Sequence, residues 1–285
     1  MLGDLPLAAL VLLLIAAAAA LLLQPGWARR RRARLRDSPF PPAWSRILQQ
    51  RVPLAARLPA PLQLRLQQLI QVFIAEKPFI GCNGQPIDDE VRVTIAAHAC
   101  LLLLGQGGDA CYPRLRQVLV YPDAFVVPRR QWLPGGVLSE QPQALAGESW
   151  GQGQVILAWS EVLAGARGAG DGRNVVLHEF AHQVDQDGGE ADGQPWRADA
   201  ASSARFAAVM DAAFARLQQQ PSDTLDPYGA SAPAEYFAVA TEAFFERPQA
   251  LAAEAPQVYG ELARLYRLDP AAWQDASAAC AAATA

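Results

Sequence analysis

Histidine is scarce in this chain: three in 285 residues, against 28 Asp and Glu. The four cysteines, Cys82, Cys100, Cys111 and Cys280, include no C-x-x-C pair. That excludes the common cysteine-built zinc sites and suits thiols kept reduced in a cytoplasm. No internal repeat is present. Beyond residue 36 positive charge is short as well. The formal charge is −4. Six Arg against Asp4 put about +5 in residues 1–36, leaving about −9 on the remainder, a poor surface for a phosphate backbone. Direct nucleic-acid binding is therefore not expected. No Lys or Arg precedes the apolar run near the N-terminus, where a secretory signal would carry one.

What is present begins with that run. Leu7 to Leu23 contains only Leu, Ala, Val and Ile, about 25 Å as a helix and near the lower limit for crossing a bilayer. Arg29, Arg30, Arg31, Arg32, Arg34 and Arg36 follow it. Under the positive-inside rule this order predicts one retained transmembrane helix with everything after Arg29 in the cytoplasm. Basic side chains at that place suit an anionic membrane surface. The expected organisation is an N-terminal anchor over 1–24, a basic and proline-rich linker over 25–44, a globular domain over 45–270 and an Ala-rich tail over 271–285. The expected location is the inner membrane, single-pass, with a soluble cytoplasmic protein as the alternative.

Two of the three histidines stand in one stretch, Val175-Val176-Leu177-His178-Glu179-Phe180-Ala181-His182-Gln183-Val184-Asp185. Leu177, Phe180, Ala181 and Val184 repeat at i, i+3, i+4, i+7, the stripe of a buried helix face. His178 and His182, four apart, then lie one above the other and can share a metal ion, with Glu179 beside them. Asn174 or Asp171 can cap the helix start and Gly188-Gly189 can end it. This is the context that H-E-x-x-H needs to be a zinc site with the glutamate as base.

Elsewhere, helices are expected over Leu62–Ala75, Val91–Leu104, Ala198–Gln220 and Ala234–Glu246. His98, among Ala96, Ala97, Ala99 and Leu101, reads as a packed core residue. Gln117–Tyr121 and Phe125–Val127 read as strands, residues 134–153 as a surface loop, and Val155–Ser160 as the best strand in the chain. That last strand, just ahead of the motif helix, either pairs with an extended substrate or is purely structural.

Two histidines do not hold zinc firmly; a catalytic site needs a third protein ligand and one position for water. No other histidine is near, so a carboxylate is expected. Ala234 to Phe245 offers Glu235 and Glu242, seven apart on one helix face. Spacing leaves open which is the ligand and which accepts a hydrogen bond from a ligand imidazole. Asp185, one turn beyond His182, is a candidate orienting partner.

The stretch His178 to Asp185, with Tyr228-Gly229, Ala234-Glu235-Tyr236-Phe237-Ala238, Glu242 and Phe244-Phe245, resembles the Mlc titration factor A family. Those are zinc-dependent peptidases related to the catalytic domain of anthrax lethal factor. The resemblance implies Glu235 as the third metal ligand and Tyr228 as a tyrosine facing the metal. The expectation is then an α+β, zincin-like metallopeptidase domain, helix-rich with a small mostly antiparallel sheet. His178, His182 and Glu235 would hold Zn²⁺, Glu179 would act as base and Tyr228 would stabilise the oxyanion. The substrate would be a peptide or protein, cut in an aminopeptidase-like or endopeptidase mode. The family name also implies a second role, sequestering a transcriptional repressor of sugar-uptake genes.

Overall fold

A computed structural model describes residues 26–273 apart from 109, 134–136, 146, 151–152, 168–169, 190 and 196–198. The chain divides into two compact units, Met1–Pro39 and Phe40–Ala285. In the first, residues 26–37 are helical. Among the described residues no helix is long and apolar enough to cross a membrane. The run 7–23, expected to do so, lies outside the described residues, as does most of the Ala-rich tail.

The second unit runs α1 Pro42–Arg51, α2 Pro53–Arg57, α3 Ala60–Glu76, β1 Phe79–Gly81, α4 Asp89–Leu101, β2 Gln117–Tyr121, β3 Phe125–Leu133, β4 Val137–Leu145, β5 Gly147–Trp150 and β6 Gln154–Ala158. There follow α5 Trp159–Arg167, α6 Val175–Asp185, α7 Ala200–Gln219, α8 Pro233–Glu246, α9 Pro248–Glu254 and α10 Pro256–Tyr266. It is a helix-rich α+β arrangement.

The sheet corrects the antiparallel expectation. Its order is β1-β2-β6-β5. Strands β1 and β2 are parallel, with Phe79 opposite Val118, and β2 and β6 are parallel, with Val118 opposite Val155. Only the edge strand β5 runs antiparallel, against β6. Parallel neighbours need a crossover, and α4 supplies it between β1 and β2. The central strands bury Val118, Val120, Val155 and Leu157 completely, alternate positions that share one face of the sheet. The segment expected as a surface loop holds β4 and β5 instead; β4 pairs with β3 as a separate antiparallel hairpin. Strand β6 ends at Ala158, and Trp159 already begins α5.

Helix α4 starts on an aspartate cap: Asp88 accepts from the Val91 N–H at 3.0 Å. Asp89 and Glu90 follow in the first turn, where the helix dipole favours negative charge. Nearly all of α4 is buried. His98 is packed in it as expected, its Nδ1–H donating to the Thr94 carbonyl at 2.9 Å; burial lowers its pKa to about 4. Helices α9 and α10, which the periodicity did not reveal, each begin on a proline at the first helical position, where the missing N–H costs nothing.

Candidate metal centre

Helix α6 is fixed by its cap and its apolar face. The structure selects Asn174 as the cap, its Oδ1 accepting from the Leu177 N–H at 3.1 Å; Asp171 instead takes the Arg173 N–H. Behind the helix, Phe180 is wholly buried. Its ring centroid is 4.8 Å from that of Tyr112 and 5.7 Å from that of Phe73. The Tyr112 hydroxyl is tied in turn to the Ala99 carbonyl at 2.6 Å. This aromatic wedge sets the rotation of α6, so that His178 and His182 face the opposite way, toward α8. Their rings stand edge to face, centroids 5.0 Å apart.

Helix α8 has its own aromatic backing, with Phe244 and Phe245 against Tyr266 and Thr241 bonded to the Tyr266 hydroxyl at 2.9 Å. Pro233 opens the helix and places Glu235 in its first turn. Glu235 Oε2 lies 3.0 Å from His178 Nε2 and 3.5 Å from His182 Nε2. One ligand atom from each of the three residues lies within 4.8 Å of the others. Glu242, two turns on, takes the other side of His178: its Oε1 is 2.8 Å from Nδ1. The two glutamates that spacing left undecided are thus divided between the two nitrogens of one imidazole.

The donor set fits a divalent cation. Two imidazole nitrogens and a carboxylate oxygen are common zinc ligands, and a carboxylate on the far nitrogen of a ligand histidine fixes its tautomer and raises its basicity. The site is also short of positive charge. Burial lowers the His178 pKa, but Glu235 and Glu242 outweigh burial and hold it well above the ordinary histidine value. Burial likewise raises the Glu235 pKa, yet the two imidazoles hold it well below the usual carboxylate range. Three Lewis bases converging out of water attract a cation, whether a proton or a metal.

Two expectations need qualification. Asp185 does not bond His182; its Oδ2 accepts the Gly193 N–H at 2.6 Å. A Cβ on Gly193, at φ +80°, would come 2.6 Å from the Pro233 carbonyl. Asp185 therefore ties the end of α6 to the loop that abuts the start of α8. Burial raises its pKa to about 6. Strand β6, for its part, is paired on both edges, by β2 and β5, so it has no edge to offer a substrate; the outer edge belongs to β5.

Tyr228 does come to the site. It sits in a 3-10 turn, Pro227–Ala230, capped by Asp226, with its ring centroid 6.0 Å from that of His178. It is 48% exposed, which leaves it accessible from solvent. Glu179 is only 5% exposed. Spacing gave no sign of Glu246. Its Oε1 accepts from Asn174 Nδ2 at 3.1 Å and its Oε2 from the Gly170 N–H at 3.0 Å. Burial raises its pKa to about 7.

Sequence comparison agrees with this geometry. Residues 26–267 match the family described as glucose-regulated metallo-peptidase M90. Mlc titration factor A of Salmonella agona is 31% identical over 226 residues, 77% of this chain and 84% of that protein. The protein of the same name from Serratia proteamaculans is 31% identical over 230 residues, covering 77% and 86%. An uncharacterized protein of Synechocystis sp., slr2042, is 40% identical over 271 residues, covering 93% and 98%. The chain belongs to the M90 family of metallopeptidases.

Proposed function

We propose that this chain is a zinc-dependent peptidase whose metal is held by His178, His182 and Glu235. The observation that carries the reading is the convergence of these three ligand atoms within 4.8 Å, in a chain of a metallopeptidase family. Zinc in such a site supplies a water acidified to a pKa of roughly 7 and draws electron density from the substrate carbonyl. Glu179, beside His178 and largely shielded from solvent, takes the proton from the attacking water and delivers it to the leaving amine. Tyr228 turns its hydroxyl to the carbonyl oxygen as charge develops there. Glu242 holds the His178 ring by its Nδ1–H. The outer edge of β5, last in the strand order of its sheet, offers backbone groups to an extended peptide.

The test is Glu179→Gln assayed with a peptide library. Zinc content should be unchanged and cleavage abolished; cleavage at the wild-type rate would remove Glu179 from the mechanism. A chelator should stop wild-type cleavage.

The relatives named Mlc titration factor A support a second role, in which this chain captures a transcriptional repressor. A pull-down with Glu179→Gln separates the two. A sequestering protein keeps both partner and regulatory effect in that variant, whereas a peptidase keeps the partner and loses the effect. The apolar run 7–23 and the arginines after it support an inner-membrane anchor with the catalytic domain on the cytoplasmic side. Extraction from membranes by detergent but not by alkaline salt is the expected behaviour; a fully soluble fraction would contradict it.

A further inference from the structure

The carboxylate that steadies His178 is itself steadied. Glu242 uses Oε1 on His178 Nδ1 and Oε2 on the backbone N–H of Asn174. That N–H belongs to the cap residue of the helix carrying His178, so the contact closes a ring through α6 and α8. A backbone N–H holds its partner only as well as its own segment is held. One turn beyond Glu242 on α8 lies Glu246, 2% exposed. Its two oxygens take the side-chain N–H of Asn174 and the N–H of Gly170. Asn174 thus has every polar function engaged: backbone N–H to Glu242, carbonyl to the His178 N–H, Oδ1 to the Leu177 N–H and Nδ2 to Glu246.

The segment between these contacts is tightly fitted. Gly172, at φ +89°, passes so close to Arg247, the residue that caps the C-terminal end of α8, that a Cβ would lie 3.0 Å from its Cδ. A Cβ on Gly165 of α5 would lie 3.2 Å from Asn174 Cα. Arg247 is pinned in turn by the Asp223 carbonyl at 2.7 Å. Two buried glutamates one turn apart are a costly way to pack a helix, because burial penalises each ionised carboxyl and each needs hydrogen-bond donors. Their placement is accounted for if the second acid fixes the donor that orients the first.

The geometry points to Glu246, acting through Asn174, as a positioning residue for His178: it anchors the loop whose backbone N–H holds Glu242 against the imidazole. This rests on the reading that His178 binds zinc. The chain of side-chain contacts runs Gly170, Glu246, Asn174, Glu242, His178; Asn174 also meets His178 along the backbone, where its carbonyl accepts the His178 N–H of the first helical turn at 3.0 Å.

The experiment is zinc competition against a chromophoric chelator on the full chain, with thermal melting alongside. Asn174→Ser keeps an oxygen to cap α6 but loses the donor to Glu246. Glu246→Gln keeps the volume but supplies one acceptor oxygen for two N–H donors. Each should weaken zinc affinity about tenfold, at the low end of the range for groups that support metal ligands. In a Glu242→Ala background neither should weaken it further, since the route through Glu242 is already cut. Wild-type zinc affinity in both single variants, whatever their melting temperature, would overturn the proposal, as would equal losses with and without Glu242. Should Glu246→Gln fail to fold, Asn174→Ser carries the same comparison alone. If the wild-type chain binds no zinc, the metal-site reading itself has failed. If it binds zinc and the variants bind equally well, only the positioning role has failed.

Discussion

Phe180 is the sharpest point at which packing and metal binding meet. It lies between His178 and His182 in sequence but on the opposite face of α6, fully buried against Phe73 and Tyr112. Phe180→Ala empties a site walled by rigid rings that collapse poorly, so a cost of about 3–5 kcal/mol is expected. A domain has only about 5–15 kcal/mol in total. At about 2–4 °C per kcal/mol for a chain of this size, the metal-free protein should melt some 6–20 °C lower. Zinc held by the proposed site of the folded state alone should return about 2.7 kcal/mol at a hundredfold excess over its Kd. The assay is thermal or urea unfolding of Phe180→Ala with chelator and with zinc, repeated in Phe180→Ala with His182→Ala. Zinc should rescue the first variant and not the second. A cost below about 1 kcal/mol would refute the wedge, on the cavity argument that predicts several. Equal rescue of both variants would refute the coupling of α6 to the metal.

Glu242→Gln should weaken zinc binding by about 10–100-fold while the fold persists, measured by chelator competition; unchanged affinity would mean that the Nδ1 contact does not tune the site. Tyr228→Phe should lower kcat about 10²–10³-fold with zinc content intact, read from steady-state peptide cleavage. For Asp185, the folded pKa of about 6 lies above its ordinary value of 3.8. Its contribution to stability is therefore full below its ordinary pKa and is lost as pH rises through about 6. Asp185→Asn keeps an acceptor for the Gly193 N–H and should flatten the stability of the metal-free protein across that interval. An unaltered slope in urea unfolding would exclude Asp185 as the titrating group.

The two helices that build the site were legible in the sequence because both signals that define a helix were present. Leu177, Phe180, Ala181 and Val184 give the buried stripe, Asn174 gives the cap, and Pro233 gives the first turn of α8. The sheet was less legible. Alternation reveals that Gln117–Tyr121 is a strand, but its direction depends on α4 crossing between β1 and β2, which no local pattern records. Val137–Leu145 and Gly147–Trp150 carry one β-branched residue, Val137, and pair nonetheless. Helical spacing placed Asp185 on the ligand side, yet a shared face does not specify a partner, and Asp185 turned to Gly193. Glu246 meets Asn174 across 72 residues, a contact set by how α6 and α8 dock rather than by either helix alone.

The most direct measurement is the zinc content of the purified chain and of its His182→Ala and Glu235→Ala variants, by elemental analysis after exhaustive dialysis. The account predicts one zinc per wild-type chain and loss of the metal in both folded variants. Full zinc stoichiometry in either variant, or none in the wild type, would contradict it.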